Sequence, residues 1–126
     1  MEDKPRLPSG PDIEVRPRNW LLPVALVMLR EESSYGYQLM ERLATDFDFE
    51  NINAGTLYRT LRQMEKEGLC DSEWETSAED GRPRRLYFIT DDGQAYLDTW
   101  VQACKEYGRV MDALSRVYTN SRPRTS

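Results

Sequence analysis

Histidine is absent from the sequence. That one absence removes the commonest general base, the Ser-His and Cys-His nucleophilic pairs, and zinc sites of the HExxH type. Cysteine is scarce too. Cys70 and Cys104 lie far apart with no ligand residues beside them, so neither a disulfide framework nor a metal centre is expected. Gly81 and Gly93 are isolated, which leaves no glycine-rich loop to cradle a phosphate. Long apolar runs are missing as well: Trp20 to Leu29 is the longest, far short of the roughly 20 residues that cross a bilayer. The first residues, acidic at Glu2 and Asp3 and then broken by Pro5, Pro8, Gly10 and Pro11, do not read as an export signal. A cytoplasmic setting is expected. Carboxylate pairs do occur at Glu31-Glu32, Glu79-Asp80 and Asp91-Asp92, but each falls at an expected turn or helix start, where a solvated or dipole-facing acid is the ordinary reading. No enzyme and no cofactor are expected.

What is present describes one soluble domain with one appended element: 126 residues, 39% hydrophobic and 31% charged. Residues 1–18 are rich in proline and charge, lack an apolar period, and read as a flexible arm ending near Arg16 and Arg18. From Trp20 to Arg30 the run WLLPVALVMLR reads as a buried helix, with Pro23 tolerated near its first turn. Ser33 or Ser34 can cap a second helix whose apolar side is Leu39, Met40 and Leu43. Thr45 to Ile52 then reads as a loop in which two phenylalanines close the core.

The third helix is the most informative. Asn53 can cap it and Gly68 can end it, with Leu69 placed to pack back after the stop. At about 100° per residue, Leu57, Leu61 and Met64 form a core stripe, while Gly55, Arg59, Arg62 and Lys66 gather opposite. A major groove requires such a face, because arginine can contact phosphates or the O6 and N7 of guanine. A plain solvated helix face is the competing reading.

Two strands follow, Leu69 to Thr76 and Arg84 to Thr90, joined through Asp80-Gly81 and Pro83. The returning strand begins with Arg82, Arg84 and Arg85, so a basic hairpin succeeds a basic helix. Helix, helix, basic helix, basic hairpin is the order of a winged helix-turn-helix. Overall charge opposes this reading: the net charge is -5, and residues 53–90 hold six cations against seven acids. Screening acts over about 8 Å at physiological salt, however, so the charges nearest the phosphates count most.

Thr90 can cap a final helix with Asp91 and Asp92 in its first turn. Along it Tyr96, Trp100, Ala103, Tyr107, Val110, Leu114 and Val117 recur at alternating spacings of four and three, flanked by Leu97, Val101, Cys104, Met111 and Tyr118. A small winged domain cannot cover all of that surface, so a homodimer is expected, with Trp100, Ala103, Tyr107, Val110, Leu114 and Val117 in its seam. Tyr96, Trp100 and Tyr107 near the helix root could also wall an apolar effector, although a packed aromatic seam is the plainer reading.

The strings GTLYRTLRQMEKEGL and GRPRRLYFITDDG resemble the PadR family of transcriptional regulators across about residues 20–118. The resemblance implies the winged fold, mainly α with a small β-hairpin, and dimerisation through the C-terminal helix; the expected organisation is a winged helix-turn-helix over residues 19–90, a dimerisation helix over 91–119, and a disordered tail over 120–126. It further implies repression of a double-stranded DNA operator, relieved by a small effector or stress signal. Family DNA contacts fall on Thr56, Tyr58, Arg59 and Arg62 and on the Arg82 to Arg85 wing. Ala54 departs from the proline common at the first helical position, which bears on the rigidity of the turn. The words YRTLRQMEKEG, SEW and YLDTW are similar to the branch of poly-beta-hydroxybutyrate-responsive repressors, which implies a polyhydroxyalkanoate polymer as the signal; in that comparison Trp74 and Trp100 could equally be ordinary core residues. The rival reading is a winged-helix module that binds a protein partner through its apolar last helix and acidic surface.

Overall fold

The computed structural model describes residues 20–47, 52–76 and 81–124. The proposed N-terminal arm, Phe49 and the tip of the hairpin lie outside the described residues. The first helix, α1 (Leu21–Glu31), is the centre of the fold. Leu21, Leu22, Pro23, Ala25, Leu26, Met28 and Leu29 are all buried, as expected of a helix apolar on most sides. Pro23 sits in its first turn, where no intrahelical N–H is lost.

Two expectations need correction at the next elements. Ser34 and Tyr35 form a short strand, β1, and the second helix, α2 (Gly36–Asp46), is capped by Tyr35 rather than by Ser33 or Ser34. The Tyr35 N–H donates to Gln38 Oε1 at 2.8 Å, while the buried Ser34 hydroxyl donates to the Glu32 carbonyl. Ser34 is thus turned inward and unavailable as a cap. At its other end α2 takes in Thr45 and Asp46, which read as loop; the Arg42–Asp46 pair and the Thr45 hydroxyl on the Glu41 carbonyl sustain the last turn. Phe47 packs partly buried against the core.

The third helix, α3 (Ala54–Lys66), starts where Asn53 accepts the Thr56 N–H at 2.8 Å. It ends in a Schellman turn. Gly68, at φ 78°, donates to the Glu65 carbonyl, and Leu69 donates to that of Met64. Strands β2 (Cys70–Glu75) and β3 (Arg84–Ile89) pair antiparallel, and β1 pairs with the far edge of β3, so the sheet has three strands in the order β1-β3-β2 instead of a lone hairpin. Leu39, Leu43, Leu57, Leu61 and Met64 close the core against α1.

The last helix, α4 (Asp91–Asn120), runs 30 residues, about 45 Å at 1.5 Å per residue. It extends one residue beyond the expected end. Its root is tied to the α3 stop: the Thr90 hydroxyl accepts the Gly93 N–H and donates to the Gly68 carbonyl, while the Thr90 N–H reaches that of Leu69. Gly93 lies so close that a Cβ there would come within 1.9 Å of the Leu69 oxygen. Leu97 is buried and Val101 packs against the core. Beyond Val101 the helix leaves the domain, and Tyr107, Val110, Leu114 and Val117 are 54–66% exposed. No helix among the described residues is long and apolar enough to cross a membrane.

Candidate nucleic-acid interface

On α3 the two faces separate as the wheel predicts. Leu57, Leu61 and Met64 are fully buried, and Gly55, Arg59, Arg62 and Lys66 are exposed. Gly55 is not demanded by packing, since a Cβ there would meet only Asn53 Oδ1 at 3.3 Å and Arg59 Nη1 at 3.7 Å. Its absent side chain leaves bare backbone on the outward first turn, open to close approach. Thr56 is half-buried and accepts from Arg59 Nη2 at 3.3 Å, an exposed contact that a competing acceptor can replace. Tyr58 leans toward α2; its hydroxyl occupies the space beside Gly36, where a Cβ would fall 2.1 Å away. Close packing of the two helices therefore rests on that glycine.

The wing arginines do not share one environment. Arg82 is exposed ahead of β3. Arg84 lies over the Tyr37 ring at 5.4 Å, and Arg85 over the Trp74 ring at 4.9 Å. Strand register puts Ser72, Trp74, Arg85 and Tyr87 on the face toward α3, and Glu75, Arg84, Leu86 and Tyr35 on the other. Arg85 Nε donates to Ser72 Oγ at 3.0 Å, Ser72 Oγ donates to Glu65 Oε2 at 2.9 Å, and Arg85 Nη2 lies 3.6 Å from that oxygen. On the opposite face Tyr35 donates to Glu75, whose carboxylate, with some burial, pushes the Tyr35 phenol up.

Tyr58, Arg62 and Glu65 of α3 and Arg84, Arg85 and Tyr87 of β3 line a trough of about 590 Å³, with Tyr35, Tyr37 and Trp74 along its rim. Sequence reasoning missed all three as rim residues. Trp74, allowed for as a core residue, is 63% exposed. Tyr35 and Tyr37 stack with centroids 5.9 Å apart, an arrangement that depends on the β1–α2 corner and has no periodic signature. On α4, Tyr96 and Tyr107 are exposed and Trp100 is half-buried, so the domain covers only part of that aromatic row.

A helix-turn-helix whose second helix offers a cationic face, followed at once by a β-ribbon, defines a winged-helix protein. Residues 25–99 match the transcriptional regulator PadR-like family. A transcriptional regulator of Mycobacterium tuberculosis is 41% identical over 58 residues, covering 46% of this chain and 52% of that protein. A PadR family regulator from Eggerthella lenta is 31% identical with a TM-score of 0.64, covering 82% of this chain and 86% of that one. One from Clostridium difficile, 23% identical, shares the fold at a TM-score of 0.68, covering 76% and 98%. The chain belongs to the PadR-like family of transcriptional regulators, and it is a regulator rather than an enzyme.

Proposed function

We propose that the protein is a dimeric repressor that reads a double-stranded operator with α3 and is released by an apolar signal. The observation that carries the reading is the division of α3: three fully buried residues on one side, and Gly55, Arg59, Arg62 and Lys66 exposed on the other. Thr56 and Tyr58 flank this face, and Arg82 and Arg84 extend it along the wing. The occupant of the distal α4 face is a second copy of the chain. Ala103, Tyr107, Val110, Leu114 and Val117 continue one seam at heptad-like spacing, and Trp100 links it to the domain. Two heads held by that seam would meet half-sites about 34 Å apart, one turn of DNA.

The signal enters at Tyr96, Trp100 and Tyr107, whose rings need a second helix to complete a wall. Their chemistry suits an apolar small molecule or a polyhydroxyalkanoate surface, as the similarity of the SEW and YLDTW words to the polymer-responsive branch implies. Mobility shift with the DNA upstream of the protein's own gene, at low and high salt, tests the function. Binding that weakens steeply with salt is expected, followed by release on adding polyhydroxybutyrate oligomers. A protein-interaction module, which the net charge of -5 favours, would leave that DNA unshifted at any salt.

A further inference from the structure

We propose that Glu65, Ser72 and Arg85 form a clamp that sets the pitch of the wing against α3, making Arg85 a positioning residue rather than a phosphate contact. The inference rests on α3 being the DNA reader. Glu65 is the penultimate residue of α3, while Ser72 and Arg85 lie on β2 and β3, so the chain of bonds joins all three elements. Its polarity is consistent throughout: guanidinium N–H to hydroxyl, hydroxyl to carboxylate, with the second guanidinium nitrogen near the same oxygen. Successive bonds of one sense polarise and strengthen each other. Glu65 is only 23% exposed, and the Trp74 ring covers one face of the Arg85 guanidinium.

The place of the clamp explains its use. Among the described residues the buried core of the sheet ends at Cys70 and Tyr87. Farther out, the ribbon carries Trp74, Glu75, Arg84 and Arg85, none of them buried. The angle between ribbon and α3 is therefore set by polar contacts where the core gives out. A β-ribbon twists readily when unsupported, so without the clamp the free wing would sample other pitches, and binding would have to restore the one in which the same outer cations reach DNA.

The sign of one substitution separates this from simple electrostatics. Glu65 is an acid beside the reading face, so by charge alone its removal should tighten DNA binding. The clamp requires the opposite. In salt titrations by fluorescence anisotropy on the upstream DNA, Glu65→Ala and Arg85→Ala should each weaken binding roughly tenfold, and the double variant little further. Neither should change the slope of log K against log salt, whereas removing a phosphate-contacting arginine lowers it by about 1. Glu65→Gln, which keeps an acceptor for Ser72, should fall between Glu65→Ala and the parent. Tighter or unchanged binding by Glu65→Ala, or a slope change of about 1 in Arg85→Ala, overturns the clamp. Arg59→Ala serves as the separate check on α3: if it binds like the parent, or the parent does not bind, the DNA reading fails. Amide exchange then still decides the clamp, because both single variants, with circular dichroism confirming the fold, should exchange faster over residues 72–75 and 84–87. Unchanged exchange there refutes it.

Discussion

Gly93 and Cys70 sit at the two points where the long helix and the wing are fastened to the domain. At Gly93 the Leu69 carbonyl fills the space of a side chain, and backbone cannot retreat as a flexible side chain can. Gly93→Ala should therefore cost about 1–3 kcal/mol despite the better helix propensity of alanine, read as a lower urea midpoint. An unchanged midpoint would mean that α4 does not seat as described. Cys70 is buried with its thiol near the Leu61 carbonyl, and burial, with smaller contributions from Glu65 and Asp71, pushes the thiol up to about 12. The raised value means the unfolded chain loses its proton first. Stability from this group is complete below about pH 9 and is lost progressively as pH climbs toward 12. Burial raises Tyr87 too, in the same alkaline direction. Native protein at neutral pH should react with one equivalent of a thiol reagent, at exposed Cys104, and Cys70→Ala should flatten the alkaline loss of stability.

Among the elements, those with strong periodicity and caps were legible, and those formed by distant pairing were not. The stripe Leu57, Leu61, Met64, the Asn53 cap and the Gly68 stop fixed α3 from local sequence, because each works within one or two helical turns. Two residues cannot show a strand period. Ser34 therefore looked like a capping residue, although the strand partners of Ser34 and Tyr35, Tyr87 and Leu86, lie some fifty positions away. Arg85 resembled the other wing arginines for the same reason, since its carboxylate comes from α3 and only folding brings it near. The candidate reading face was thus legible residue by residue, whereas the trough beside it was not. Leu114 is 61% exposed in the single chain but central to the distal seam, so Leu114→Glu should leave the winged domain folded while burying two unpaired charges in any dimer. Sedimentation at micromolar concentration should give a dimer for the parent and a monomer for the variant. A monomeric parent would contradict the seam.

For the whole molecule, the charge balance and the reading face pull against each other. A protein with 17 cations and 22 acids is repelled by DNA at long range and must bind through its few well-placed cations at short range. That combination predicts weak non-specific binding and a selectivity concentrated on α3. The helix and the wing should accordingly fail in different ways. In the proposed reading, losing Arg59 and Arg62 would remove contacts in the groove, whereas losing Arg82 would remove a charge near the backbone and should weaken all sequences alike. The most direct test is the affinity of the folded, dimeric parent and its Arg59→Ala/Arg62→Ala variant for the DNA upstream of the gene, against a scrambled duplex. The parent should prefer the upstream DNA, and the double variant should lose at least about tenfold on it while keeping its weak affinity for the scrambled duplex. Equal binding of the upstream DNA by the two proteins would contradict the account.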